Sequence, residues 1–202
     1  MKLYYAPGAC SLAPHIVLAE AGIAADFVKV DLKAHLTESG VDYYTVNPKG
    51  SVPLIELDNG ERLTEVSAIV QYIADQKPGA ALAPAAGTFE RYRLQEWLNF
   101  VSSELHKQYS PFFNPATPDA YKEMVTKKLG ERFAYLTKHF KDRDYLLGNQ
   151  FSVADAYLFT ILRWSKSVDI QLEPWPVLTE FLARVRARSK VSEVMKAEGL
   201  AN

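Results

Sequence analysis

The sequence predicts two modules: an α+β unit with βαβ then ββα order over residues 1–78, a linker at 79–87, and an all-α helical bundle over 88–202. Three observations carry this. Short β-prone runs alternate with helical spacing only up to about residue 78, and the stretch Lys77-Pro-Gly-Ala-Ala-Leu-Ala-Pro84-Ala-Ala-Gly87 then breaks all periodicity. From Thr88 onward, long amphipathic segments run without any competing strand pattern. A chain of 202 residues that is 48% apolar is long enough to bury two such cores.

Taken in order, Leu3-Tyr-Tyr5 is a short strand, and Leu12, His15, Ile16 and Ala19 recur at helical spacing up to Gly22, a helix stop. Pro14 lacks an N–H, so it belongs in the first turn, with the N-cap near Cys10 or Ser11. Phe27-Val-Lys-Val-Asp31 alternates like a strand. Val52–Leu57 and Arg62–Thr64 flank Asp58-Asn59-Gly60, a hairpin signal. A helix from Glu65 to about Gln76 places Val66, Ile69, Val70 and Ile73 on one face. The second module reads as helices over roughly 88–110, 118–141, 153–168 and 175–189.

Composition bounds the function. A net charge of −1 leaves no electrostatic footprint for nucleic acid or anionic lipid. One cysteine excludes an internal disulfide framework, and spaced Cys and His pairs of a zinc site are absent from the sequence, so no metal is expected. The N-terminal residues lack a basic segment followed by an apolar run, and no stretch of 18 apolar residues occurs. A cytoplasmic, membrane-free protein is the expectation.

Three segments point to chemistry. Cys10 stands where a strand turns into a helix, and unpaired N–H groups at a helix start favour thiolate over thiol. A lone cysteine also serves as an inert apolar filler. With no second cysteine, any redox cycle needs a thiol from solution. In Asn47-Pro-Lys-Gly-Ser-Val52-Pro53, the proline belongs at a strand entry, and a cis bond there would turn the Val52 N–H and C=O outward toward an extended peptide. Glu65 opens a helix, where it caps and can also hold a zwitterion, amine against the carboxylate and carboxylate against the free amides, two compatible readings.

These segments, with Phe151-Ser-Val-Ala-Asp155-Ala-Tyr-Leu-Phe159, resemble the glutathione transferases, whose N-terminal domain is thioredoxin-like. Tyr5, Cys10 and Glu104-Leu-His106-Lys107 are similar to the bacterial beta class. The resemblance implies a homodimeric enzyme that adds glutathione, its cosubstrate, to small hydrophobic electrophiles, with halide displacement in some cases. It implies Cys10, His106 and Tyr5 as catalytic residues. Glutathione would contact Cys10, His35, Val52, Pro53, Glu65, Val66, Ser67, Glu104 and His106, with Asn99 and Ser103 reaching in from the partner subunit.

Two departures stand out. The family commonly has serine after the helix-opening glutamate, whereas here Val66 offers only its backbone and the hydroxyl comes at Ser67; His35 stands where the class tends to carry lysine. Tyr109, Phe112, Phe113 and Trp164 are candidates for the acceptor pocket, aromatics at helical spacing serving equally as core. Cys10 stands either as a nucleophile or as a hydrogen-bond partner. The rival functions are a glutathione-dependent thiol-disulfide or peroxide reductase using Cys10, and a non-catalytic ligand-binding module.

Overall fold

The structure, a computed structural model, describes residues 1–200. Two compact units emerge, Met1–Ala83 together with the segment from Arg188 onward, and Pro84–Ala187. The helical module expected over 88–202 therefore loses its C-terminal end to the first unit. The reason is a helix, Ser189–Ala197, that buries Val191, Val194 and Met195 and packs on the first helix of the chain. Arg188 fixes its start with two hydrogen bonds to the Glu20 carboxylate, 2.7 and 2.9 Å.

In the first unit, strands β1 (Lys2–Tyr5), β2 (Asp26–Asp31), β3 (Leu36–Thr37), β4 (Leu54–Glu56) and β5 (Arg62–Thr64) form a mixed sheet in the order β3-β2-β1-β4-β5. β1 pairs parallel with β2 and antiparallel with β4, as a βαβ unit followed by a hairpin requires. The β4–β5 hairpin closes at Asn59-Gly60, with Gly60 at φ 84°. Helices α1 (Leu12–Ala21) and α2 (Val66–Gln76) pack together, burying Leu12, Ile16, Val17, Ile69, Val70 and Ile73 completely. β3, two residues long, carried no readable pattern in the sequence.

In the second unit, α3 (Phe89–Phe100) runs into a π-helical segment, Val101–His106, and then α4 (Lys107–Phe113). α5 (Asp119–His139), α6 (Val153–Leu162), α7 (Trp164–Ser167) and α8 (Pro176–Arg186) follow; the helix at Ser189–Ala197 is α9. Every residue of α6 is buried, as an apolar helix with no polar face demands. Ser152 and Asp155 close its start as a capping box. Among the described residues no helix is long and apolar enough to cross a membrane.

Candidate functional site

In the first unit the chain leaves β1 through the turn Pro7-Gly8-Ala9, with Gly8 at φ 73° and the Ala9 N–H on the Ala6 carbonyl at 3.1 Å. Ser11 is the N-cap of α1. Its hydroxyl does not cap, however; it accepts from the Ala6 N–H and donates to the Ala6 carbonyl, both at 3.1 Å, and so ties β1 to the helix start. Pro14 is the third helical residue, where a missing N–H leaves no bond unmade. Cys10 is thereby held at the mouth of α1, partly buried, its Sγ donating to the Val52 carbonyl at 3.2 Å.

That environment opposes the thiolate expected at Cys10. Burial pushes the thiol from an ordinary 9 up to about 12; the amides of Cys10 and Ser11 act in the expected downward direction, while the Glu65 carboxylate adds to the rise. Desolvation outweighs the helix start, and the resting sulfur is a protonated donor.

The Val52–Pro53 peptide bond is cis. The segment before it is organised by buried Asn47, whose Nδ2 donates to the Ser51 carbonyl at 2.6 Å and whose Oδ1 accepts from the Lys49 N–H at 3.1 Å. The Tyr43 hydroxyl donates to the same Ser51 carbonyl at 3.0 Å. Of the two Val52 backbone groups expected to face outward, the carbonyl is therefore already occupied by Cys10.

Glu65 is the N-cap of α2 at φ 72°, a left-handed conformation that side chains rarely adopt and that concentrates at binding sites. Its side chain makes no capping bond. Instead Oε1 accepts from Lys49 Nζ at 2.7 Å, and the same ammonium reaches Thr64 Oγ1 at 3.0 Å. Val66 is buried and Ser67 half-buried at the first positions of α2. His35, also left-handed at φ 54°, stacks on Tyr44 with ring centroids 4.5 Å apart, and its buried Nδ1 has no hydrogen-bond partner. Tyr5 sits edge-on to His15 and Phe27, and burial raises its hydroxyl above the usual range, with Glu198 and Glu38 adding to the rise.

In the second unit the π-helical segment carries three expected residues. His106 Nδ1 lies 2.6 Å from the buried Tyr157 hydroxyl, and its ring meets Trp164 edge-on at 4.9 Å. Glu104 accepts from Arg132 Nε of α5 at 2.8 Å. Ser103 Oγ donates to the Asn99 carbonyl at 2.9 Å, both residues being exposed. Phe113 packs edge-on to Trp164 at 5.5 Å, and half-buried Phe112 lies beside Tyr109. Tyr109 is fully buried, its hydroxyl 2.6 Å from the Ser165 hydroxyl and its ring edge-on to Trp164 between α4 and α7, the packing of a core aromatic.

Residues 1–75 match the family "Glutathione S-transferase, N-terminal domain" and residues 100–189 the family "Glutathione S-transferase, C-terminal domain". The chain belongs to the glutathione S-transferase family. It is 45% identical over 200 residues to glutathione S-transferase GstA of Escherichia coli O157:H7, which covers 99% of this chain and 100% of that protein. BphK, a bacterial glutathione transferase solved as a ternary complex, superposes with a TM-score of 0.97 at 56% identity, covering 99% of this chain and 100% of its own. The beta-class enzyme of Sphingomonas chungbukensis gives 0.95 at 49%, covering 99% and 100%. The chain is a glutathione transferase by this kinship, with a thioredoxin-like N-terminal domain.

Several residues that bond or order the candidate site residues are not singled out by the sequence. Lys49 and Asn47 lie in the quoted segment before Pro53, yet nothing local indicates that Lys49 crosses to Glu65. Tyr157 was visible only as part of the Phe151–Phe159 string, and Arg132 as one of many charges on a long helix. Each is recruited by a partner 15 or more residues away, except Asn47. Among the described residues no cluster of His, Cys, Asp or Glu is arranged to hold a metal ion.

Proposed function

We propose that this protein joins glutathione to small hydrophobic electrophiles, with Cys10 acting as a hydrogen-bond donor and the glutathione sulfur as the nucleophile. In this reading the tripeptide lies extended on the first unit. Its cysteinyl backbone pairs with Val52 beside Pro53. Its γ-glutamyl end takes Glu65 through the amine and the Val66 amide through the carboxylate, with Ser67 adjacent, where a helix start favours negative charge. The glycyl carboxylate goes to His35, whose unpartnered buried Nδ1 supports a ligand role.

The observation that carries the reading is the Cys10 thiol donating to the Val52 carbonyl, raised by burial to about 12. A thiol held that high is not a thiolate at neutral pH, so it donates rather than attacks. When glutathione binds, Cys10 exchanges its carbonyl acceptor for the glutathione sulfur and stabilises it as a thiolate. On the family resemblance, His106, its ring oriented by Tyr157, is the proposed base for the departing proton. The thiolate then bonds to the electrophilic carbon, and in displacement the halide leaves with the bonding pair. Phe112, Phe113 and Trp164 form the acceptor wall, and Tyr5 supports the cysteine turn. Glu104, paired with Arg132, orders the segment carrying His106.

The protein is proposed to work as a homodimer in the cytoplasm, with Asn99 and Ser103 serving the partner's site. Exposed Phe89, Tyr92 and Met124 on α3 and α5 support such an interface. Sedimentation equilibrium showing only monomer at micromolar concentration removes Asn99 and Ser103 from the site. The decisive variants are Cys10→Ala and Cys10→Ser with an aryl halide as acceptor. Loss of one charge-accepting hydrogen bond predicts a fall in kcat/KM of about 10- to 100-fold for Cys10→Ala, largely restored in Cys10→Ser. Complete loss in both variants, with glutathione-dependent disulfide reduction present in the parent, points instead to the reductase; no turnover of any electrophile by the parent points to a ligand-binding module.

A further inference from the structure

The carboxylate of Glu198 is fully buried in the first unit, 190 residues from the turn it holds. It follows α9 directly. Gly199, left-handed at φ 73°, turns the chain so that its own N–H reaches the Lys196 carbonyl at 3.1 Å and the Leu200 N–H reaches the Met195 carbonyl at 2.7 Å, the two bonds of a Schellman motif. This closure aims two groups at the loop that presents Cys10. Glu198 Oε2 accepts from the Gly8 N–H at 2.9 Å, and Leu200 lies so close to Gly8 that a Cβ there would stand 3.3 Å from its Cδ2. Glu198 Oε1 lies 2.7 Å from Nδ1 of His15, a buried residue of α1 that stacks on Phe27 at 4.2 Å.

The Pro7-Gly8-Ala9 turn is closed by the Ala9 N–H on the Ala6 carbonyl at 3.1 Å and joined to α1 by the Leu12 N–H on the Ala9 carbonyl at 3.0 Å. A further tie between the turn and α1 comes from outside, from one carboxylate that bonds the turn with one oxygen and the helix with the other. A buried carboxylate bonded on both oxygens is costly to move, because any displacement strips a charge of a partner where water does not replace it.

We propose that Glu198 is a positioning residue for Cys10, its carboxylate and the adjoining Leu200 fixing the Gly8 turn so that the cysteine thiol is presented correctly to glutathione. The proposal rests on the glutathione-binding reading above. α9 and its terminus thus belong to the first unit in function as well as packing.

Cys10 is the only cysteine, so labelling by a neutral aromatic disulfide reports on it alone. Glu198→Ala is expected to raise the labelling rate about tenfold, the change produced by one unit in thiol pKa. It should also raise the KM for glutathione several-fold while kcat at saturating glutathione stays within about twofold, the split expected when ground-state presentation alone is lost. Glu198→Gln, which retains an acceptor for the Gly8 N–H, should return most of both effects. Leu200→Ala, a milder change, should raise labelling about threefold by loosening the turn, and it decides the matter alone if Glu198→Ala does not fold. Labelling at the parental rate in Leu200→Ala and in folded Glu198→Ala overturns the proposal, as does faster labelling with an unmoved KM. If the parent binds no glutathione, the functional reading fails, and faster labelling still establishes that Glu198 holds the turn.

Discussion

At the start of α6 the polar groups are sealed. The Asp155 carboxylate accepts from the Leu146 N–H at 2.8 Å, the Ser152 N–H at 2.9 Å and the Ser152 hydroxyl at 2.7 Å, all out of reach of water. At the start of α2 the opposite holds: Glu65 adopts a left-handed backbone, makes no cap, and extends its exposed carboxylate to Lys49. Both are helix N-termini with a carboxylate beside them. One spends its hydrogen-bonding capacity on the fold, and the other keeps amides and charge available for a ligand. On the proposed reading, the difference separates residues whose loss destabilises the protein from residues whose loss costs affinity.

The strongest way to break that contrast is Asp155→Ala. It leaves two buried backbone donors without an acceptor, at about 1–3 kcal/mol each, so stability should fall by roughly 3 kcal/mol and the melting temperature by about 6–12 °C. Calorimetry or urea unfolding reads this directly. A pH arm sharpens it. Burial raises Asp155 from 3.8 to about 6 despite its three donors, so the folded state binds this proton more tightly than the unfolded chain. The resulting contribution is fully present below about pH 4 and is lost as pH rises through 6. Relative to Asp155→Asn, the parent should therefore lose about 2 kcal/mol between pH 4 and 6.5; parallel profiles would show that the carboxylate is not desolvated.

Glu65→Gln is expected to act on binding instead. Removing the charge that meets the glutathione amine should weaken affinity about tenfold or more, while the melting temperature moves by less than about 2 °C. Titration calorimetry beside thermal unfolding tests both halves, and a large loss of stability would place Glu65 with Asp155 as a folding residue. The smallest effect belongs to Lys49→Met. An exposed ion pair contributes about 0–1 kcal/mol, so stability should scarcely change. Glutathione affinity should hold or rise slightly, because the ammonium that leaves Glu65 is the one a bound amine must displace. A marked fall in affinity would make Lys49 a ligand contact.

What was legible in the sequence divides along the same line. The hairpin at Asn59-Gly60, the helix start near Cys10 or Ser11 and the start of α6 are each decided by residues within a few positions, and each stands where the pattern placed it, whereas the sequence left Pro53 open between cis and trans. At Cys10 local geometry and burial pull the proton in opposite directions, and burial is set by the fold rather than by neighbours in sequence. α9 was missed as part of the first unit, since its partner α1 lies far back along the chain. The regular helix read over roughly 88–110 did not register the π-helical turn, which no residue in Val101–His106 announces.

That turn has a consequence for how the chain tolerates change. Lys107 N–H reaches back five residues to the Ser102 carbonyl, where an α-helix would reach four. The segment thus carries one residue more than its rise needs, and everything C-terminal to it is offset in phase by about 100° from an uninterrupted helix. The pairing of His106 with Tyr157 depends on that offset. Deleting one residue between Val101 and Leu105 would restore a regular ladder while swinging the imidazole away from its partner. In lineages that vary this stretch, insertions and deletions should come in compensating pairs, while substitutions that preserve length pass freely at the exposed positions.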